Sequence, residues 1–259
     1  MIVAYHRPHT LEDALALLRQ AEPPTRPVAG GLFVMPRAKA SADPVALVDL
    51  QDLGLDGVTV HHGRTLRVGA TTSLQTLLES PTLPAGLAEV LQRTMPLPQR
   101  GQATVAGSLM AADGTSLWAA AAMALDARAV WAPGAAEAHT PWGDIFAWRA
   151  RYRAPGWLVT AVELPLAPQV HVEAVARTPA DRPLVLVAAA RWPRGRVRLV
   201  VGGWGAAPRL VLDGPAAEGW EVALDEATAA AEDRRATRDY RAATARVLAR
   251  RALDAVGAA

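Results

Sequence analysis

The sequence contains no cysteine, and Lys39 is the only lysine among its 27 basic residues. Without thiolates the chain can form no disulfide and can hold no iron–sulfur cluster through cysteine. Any redox role must therefore use a bound organic cofactor or a partner protein. The arginine bias is typical of a GC-rich genome and by itself indicates no binding surface.

Long apolar runs are also missing, since no stretch approaches the roughly 18 uninterrupted apolar residues of a membrane span. The first ten residues, MIVAYHRPHT, lack the basic segment, apolar stretch and cleavage site of a secretory signal. We therefore expect a cytoplasmic protein with no membrane span. Its 259 residues can bury a substantial core in one large domain or two modest ones.

Arginines are dense at positions 191–198 and 234–251, which could indicate a nucleic-acid surface. Acidic residues are interleaved with them, and no aromatic stacking platform accompanies them. We therefore interpret these stretches as the solvated faces of a strand pair and a helix, and predict no nucleic-acid partner.

No catalytic or metal motif stands out. His61 and His62 are adjacent, so on a strand their side chains point to opposite faces, and no further ligand follows at a useful spacing. The pattern G-x-S-x-G of a nucleophilic serine is not present. The sequence predicts no metal site, no hydrolase and no catalytic acid or base.

Local patterns predict a mixture of helices and strands. Thr10 followed by Asp13 predicts the start of a helix that ends before Pro23. Alternation on either side of His62-Gly63-Arg64 predicts a hairpin, residues 134–140 predict a polar turn, and Pro193-Arg194-Gly195 joins a predicted antiparallel pair. An alanine-rich helix is expected from Ser116 onward, and a charged helix closes the chain.

Two short glycine stretches, VAGG at 28–31 and TVAGS at 104–108, each follow a run that we interpret as strand-like. Glycine lets a backbone approach a diphosphate closely, with its amide hydrogens directed at the anion. Neither stretch fits G-x-G-x-x-G, and no Walker lysine is present. Each alone is typical of a structural turn, so phosphate binding and a plain turn both remain open.

Taken in order, the pieces of the chain resemble the FAD-binding medium subunit of molybdenum hydroxylases, of the carbon monoxide dehydrogenase and xanthine dehydrogenase type. The resemblance covers nearly the whole chain. It rests on a series of segments in the family's order: YHRPHTLEDALALL, VAGG, LVDL, RVGATTSLQTLLES, RGQATVAGS, ALDA and DYRAATARVLARRAL.

The resemblance implies an α+β fold: a two-part FAD-binding domain of the vanillyl-alcohol-oxidase (PCMH) type, followed by a small C-terminal domain with an antiparallel sheet and helices. We expect the FAD-binding domain at residues 1–166, with subdomains of about 1–53 and 54–166, and the C-terminal domain at 167–259. The implied function is an electron-transfer flavoprotein subunit that turns over no organic substrate alone.

The resemblance also implies partners. FAD would accept electrons from a 2Fe-2S small subunit, which receives them from a molybdopterin-binding large subunit, in a dimer of heterotrimers. The implied cofactor-binding residues lie in and after the two glycine stretches: Ala29, Gly30, Gly31, Leu32, Phe33, Thr104, Ala106, Gly107, Ser108, Asp113 and Leu117. Trp142, Trp148 and Trp157 surround a loop that the family places near the flavin or the partners.

Several of these positions depart from the family pattern. Leu32 and Phe33 stand where the family continues with a hydroxyl-bearing residue, and Ala106 stands where it has a glycine. Leu117 replaces an aspartate that bonds the flavin side chain, and Glu173 replaces a lysine of the C-terminal domain. Each lost hydrogen bond to a charged group removes about 1.5–3 kcal/mol. The alternative is therefore a flavin-free structural or assembly subunit that keeps the fold and has lost FAD.

Overall fold

A computed structural model describes residues 1–132, 138–153, 155–178 and 181–258. Strands in these ranges form three sheets of three, five and four strands, and helices cover them. The predicted α+β class is confirmed. No helix in the described ranges is both long enough and apolar enough to cross a lipid bilayer.

The first sheet is parallel, with the order β1-β3-β2. It consists of β1 (Ile2–His6), β2 (Thr25–Val28) and β3 (Val45–Asp49), connected through helices α1 (Leu11–Leu18) and α2 (Val34–Ala40). The hydroxyl of Thr10 accepts a hydrogen bond from the Asp13 amide, so the predicted helix start is confirmed. Leu15 and Leu18 of α1 pack on Val48 of β3 and bury one face of the sheet.

The second sheet is antiparallel, with the order β4-β5-β8-β6-β7. Its strands are β4 (Val58–His61), β5 (Thr65–Gly69), β6 (Arg128–Ala132), β7 (Ala138–Pro141) and β8 (Leu158–Pro165). The predicted hairpin at His62-Gly63-Arg64 is confirmed. Of the polar turn predicted at 134–140, residues 134–137 lie outside the described ranges and 138–140 belong to β7, so that part of the prediction is wrong.

Between the first and the last strands of this sheet, the described ranges contain seven helices: α3 (Leu74–Leu78), α4 (Ala85–Thr94), α5 (Leu97–Gln102), α6 (Val105–Ala111), α7 (Leu117–Ala124), α8 (Trp142–Ala147) and α9 (Arg149–Tyr152). Our interpretation of TVAGS as a turn after a strand-like run is wrong, because it forms the start of α6 and follows α5. Pro96 immediately precedes α5, where proline's fixed φ suits a helix start.

The third sheet is antiparallel, with the order β12-β11-β10-β9. It contains β9 (Gln169–Val175), β10 (Val185–Arg191), β11 (Val197–Gly202) and β12 (Arg209–Gly214), followed by α10 (Trp220–Thr228) and α11 (Arg238–Ala255). Leu186 and Ala188 belong to the same core as α4 and α7, whereas Val185 and Val187 pack with α10 and α11. Because both faces are covered, β10 is a continuous apolar run.

Four charged residues join the turn before β6 to strands β11 and β12. Arg196 donates two hydrogen bonds of 2.8 Å to the carboxylate of Asp213 and one of 3.1 Å to Asp126. The buried Arg198 also pairs with Asp126. The Arg196 hydrogen bond is the largest effect on the pKa of Asp213 and holds it below its ordinary value, against an opposing effect of burial.

Replacing Asp213 by asparagine is expected to lower the free energy of unfolding by about 0.5–1 kcal/mol at neutral pH, since the pair is partly screened by solvent. A depressed folded-state pKa contributes stability above the ordinary carboxyl pKa of about 4, and that stability is lost as pH falls below it. The free energies of unfolding of wild type and Asp213→Asn, measured with urea, should therefore become equal at acidic pH. A constant difference across pH contradicts the assignment, and Glu218→Gln, an exposed carboxyl, is the control.

Candidate functional site

The two glycine stretches meet at the end of α5. A Cβ on Gly30 would lie 1.6 Å from the carbonyl oxygen of Gln102, two residues before Thr104, so only glycine fits there. Gly31 has a φ of +71°, in the left-handed region that glycine adopts readily. Two stretches more than 70 positions apart in sequence therefore form one continuous surface.

This surface forms one wall of a cavity of about 580 Å³, a volume within the range typical of small-molecule and cofactor sites. Eight of the eleven residues that the resemblance implies line it: Ala29, Gly30, Gly31, Leu32, Phe33, Thr104, Ala106 and Gly107. The half-buried Phe33 side chain packs on the main core and leaves the cavity open beside it.

The other three implied residues lie outside the lining. Ser108 is buried, and its hydroxyl donates to the Val105 carbonyl at 3.0 Å. The carboxylate of Asp113 accepts from Thr115 at 2.6 Å and from Arg182 at 2.9 Å, which directs it toward the C-terminal sheet. Leu117 is only 7% exposed and belongs to the main core, so its side chain fills apolar space rather than a polar site.

The first stretch has unused hydrogen-bond donors. Within the described ranges, the backbone amides of residues 29–34 donate to no protein acceptor. The first regular helical bond after them runs from the Met35 amide to the Gly31 carbonyl, at 3.1 Å. Consecutive free amides along a glycine bend are the arrangement that binds phosphate oxygens, so this wall of the cavity fits a diphosphate.

The second stretch differs, because the amides of residues 105–108 are already used. The Val105 amide donates to Thr72 at 2.8 Å and the Ala106 amide to Ala70 at 3.2 Å. The Gly107 amide donates to the Thr104 hydroxyl at 3.2 Å, the side-chain cap of α6. The Ser108 amide completes the first turn by donating to the Thr104 carbonyl at 2.9 Å. Within the described ranges, the amide of Thr104 is the one backbone donor of this stretch that has no protein acceptor.

Aromatic side chains form another part of the wall. Trp131 and Tyr152 stack with ring centroids 5.4 Å apart, and Trp157 meets Trp131 edge-on at 6.1 Å. All three line the cavity. The indole nitrogen of Trp131 is buried without a hydrogen-bond partner in the described residues. A flat aromatic surface suits a planar heterocycle.

Three arginines, Arg26, Arg37 and Arg153, also line the cavity. They come from β2, from α2 and from the segment after α9, so no motif connects them in sequence. Sequence reasoning missed them for that reason. Of the tryptophans singled out from the sequence, Trp142 is fully buried, whereas Trp148 is 68% exposed.

No group of three or more potential metal ligands occurs among the described residues. The His61 and His62 rings lie edge to face at 6.4 Å, at the end of β4 and in the turn that follows it. Glu173, for which the resemblance implies a lysine in the family, contacts His171 at 3.1 Å on β9.

Unused amides, an aromatic wall and a cationic lining in one cavity define a nucleotide-cofactor-binding class of protein. The family model for the FAD binding domain in molybdopterin dehydrogenase matches residues 1–167. The chain is 30% identical to the carbon monoxide dehydrogenase medium chain of Afipia carboxidovorans, over 96% of this chain and 95% of that one. The chain therefore belongs to the family of FAD-binding medium subunits of molybdenum hydroxylases.

Solved structures share its fold. The carbon monoxide dehydrogenase of Hydrogenophaga pseudoflava that lacks the Mo-pyranopterin moiety matches with a TM-score of 0.81 and 23% identity, over 100% of this chain and 98% of that chain. Quinoline 2-oxidoreductase from Pseudomonas putida 86 matches with a TM-score of 0.77 and 23% identity, over 98% and 96%. The predicted fold, an FAD-binding domain followed by a C-terminal unit with an antiparallel sheet and helices, is confirmed.

Proposed function

We propose that this chain binds FAD noncovalently and transfers electrons through it as the medium subunit of a heteromeric molybdenum hydroxylase. The observation that supports this most directly is the row of free amides at residues 29–34 beside a cavity of about 580 Å³. FAD supplies two-electron chemistry when bound. The chain's own contribution is to bind and orient the cofactor.

The residues of the cavity divide this task between them. The amides of the first glycine stretch hold the diphosphate, and the Gly30–Gln102 contact fixes their position. Thr104, Ala106 and Gly107 supply the adjoining part of the same surface. Trp131, Tyr152 and Trp157 cover an aromatic ring of the cofactor and exclude water from it.

The proposed organisation follows from this function. Residues 1–166 form the FAD-binding domain, in two subdomains that meet near residue 53, and residues 167–259 form the C-terminal domain. A 2Fe-2S small subunit delivers electrons, and a molybdopterin-binding large subunit oxidises the substrate, in a dimer of heterotrimers. Copurification from the native host, followed by the mass of the intact complex, tests these partners.

The purified chain is expected to show the absorbance bands of bound flavin, or to acquire them on titration with FAD. Saturation at one FAD per chain, with quenching of protein fluorescence by the nearby tryptophans, is the expected result. Riboflavin should bind more weakly because it lacks the diphosphate that the free amides receive. The absence of flavin bands together with the absence of saturable binding would contradict the proposal.

The second candidate is a flavin-free structural or assembly subunit. The occupied amides of α6 and the apolar side chains of Phe33 and Leu117 favour it. In that case the chain copurifies with the large and small subunits but carries no flavin, and added FAD leaves its thermal stability unchanged. The same titration therefore separates the two candidates.

A further inference from the structure

Four arginines gather around the cavity, and we call them the arginine cluster: Arg26, Arg37, Arg149 and Arg153. Arg26, Arg37 and Arg153 line the cavity directly. Arg149 lies four residues before Arg153, and its guanidinium carbon is 5.0 Å from the centre of the Phe146 ring. Three arginines of the cluster therefore face the cavity, from β2, from α2 and from the segment after α9, and Arg149 lies close enough to Arg37 and Arg153 to interact with their charges.

The cluster has no carboxylate partner in the described part of the chain. Arg26 donates to the Thr25 carbonyl at 3.2 Å, and Arg153 donates to the Met110 carbonyl at 2.7 Å. Two nitrogens of Arg149, Nε and Nη2, are buried with no acceptor among the described residues. Asp43 is the only acid in the described lining, and its carboxylate accepts from Ser41 at 3.2 Å.

The electrostatics of the cluster are unfavourable without a ligand. Burial lowers the pKa of the Arg153 guanidinium, and the charges of Arg37 and Arg26 lower it further. Burial likewise lowers the pKa of Arg149, and the charge of Arg153 adds to the effect, against a smaller opposing effect of Asp113. Arg149 is half-buried, and the other three arginines are exposed. Like charges held this close together repel, and a bound anion relieves that repulsion.

We propose that the arginine cluster binds the diphosphate of the cofactor and makes the pocket selective for ligands that carry one. This inference rests on the proposed function and assigns to Arg37, Arg149 and Arg153 a role that the glycine stretches alone do not fill. The amides of α6 are occupied, and Arg153, which donates to the Met110 carbonyl of α6, supplies positive charge on that side. Arginine suits this role because its planar fork binds phosphate oxygens in pairs.

The test compares FAD, ADP and riboflavin as ligands of wild type, Arg37→Met and Arg153→Met. Fluorescence quenching of the cavity tryptophans reports binding of FAD and riboflavin, and titration calorimetry reports binding of all three ligands. Each substitution is expected to lower the affinity for FAD and for ADP by about 10-fold or more. It should also reduce the salt dependence of their binding. Riboflavin affinity should not change. Arg37→Lys keeps the positive charge but lacks the planar guanidinium, so its affinity for FAD and ADP should lie between those of wild type and Arg37→Met.

Arg194→Met, an exposed arginine in the turn between β10 and β11, is the matched control and should bind all three ligands as wild type does. Unchanged riboflavin binding in the cluster variants shows that their pocket is folded. If wild type binds FAD and both cluster variants bind it equally well, the inference is wrong and the proposed function stands.

The measurement of ADP binding shows whether a negative result contradicts the inference or the proposed function. If wild type binds ADP in an arginine-dependent way but not FAD, the cluster is an anion site, which supports the inference, and the flavin function is wrong. If wild type binds neither ligand, both are wrong.

Discussion

Replacing Arg241 by methionine is expected to lower the free energy of unfolding by about 3–5 kcal/mol. The Arg241 side chain is fully buried in α11. It donates at 3.1 Å to the Leu184 carbonyl, at 3.1 Å to the Ala231 carbonyl and at 2.9 Å to the Asp233 carboxylate. Methionine fills similar space but leaves all three acceptors without this donor.

The partners explain why the loss is large. Leu184 precedes β10, whereas Ala231 and Asp233 follow α10, so one guanidinium fixes three segments of the C-terminal unit. Burial by itself would raise the pKa of Asp233, but hydrogen bonds from the Arg235 amide and from Arg241 outweigh it and hold that pKa below its ordinary value. The guanidinium also lies 5.5 Å from the centre of the Trp204 ring.

Thermal and urea unfolding of Arg241→Met measure the effect, which corresponds to a fall in Tm of about 10 °C for a domain of this size. Arg250→Met is the control, because Arg250 is exposed on the same helix and its loss should change stability by less than about 0.5 kcal/mol. Equal stability of the two variants would mean that Arg241 contributes no more than a surface residue.

Replacing Gly30 by alanine is expected to weaken FAD binding by about 10-fold or more and to cost about 1–3 kcal/mol of stability. The added Cβ would lie 1.6 Å from the Gln102 carbonyl oxygen and 2.8 Å from its carbonyl carbon. Both are backbone atoms, so no side-chain rotation can relieve the overlap. The first glycine stretch must move away from α5, and its amides then lose their position at the cavity.

Gly101→Ala is a matched control one residue from the contact. A Cβ on Gly101 meets no atom within 4 Å outside its own helix, and alanine is favoured over glycine in helices. That variant should bind FAD as wild type does and be equally or slightly more stable. FAD titration and thermal unfolding of Gly30→Ala and Gly101→Ala measure both effects. Equal FAD affinities of the two variants would show that the Gly30 contact does not position the site.

Local sequence patterns predicted the elements whose signals lie within a few neighbouring residues. Thr10 and Asp13 marked the start of α1, and alternation around Gly63 marked the β4–β5 hairpin, as the structure confirms. The TVAGS stretch was misinterpreted because a glycine beside small residues is as common in turns as at helix starts. The cap that makes it a helix start is the Thr104 hydroxyl, which accepts from the Gly107 amide.

The candidate site was predicted in part. The glycine stretches were recognised because their short motifs survive in sequence, and they line one cavity. Asp113 lies off that cavity because Thr115 and Arg182 bind its carboxylate, and Arg182 is 69 positions away. Leu117 lies in the core because α7 is buried on every side. Neither fact has a local signature.

The sequence by itself determined the order of most helices and strands, the absence of thiolate chemistry, and the family, because each depends on residue identity or on short-range spacing. Only the tertiary structure decided which donors are free. The carbonyls of residues 70 and 72 accept from the amides of α6, while the amides of residues 29–34 meet no acceptor in the described ranges. The tertiary structure also gathered Arg26, Arg37 and Arg153 at one cavity, because packing joins Arg153 to two arginines that precede it by more than 100 positions.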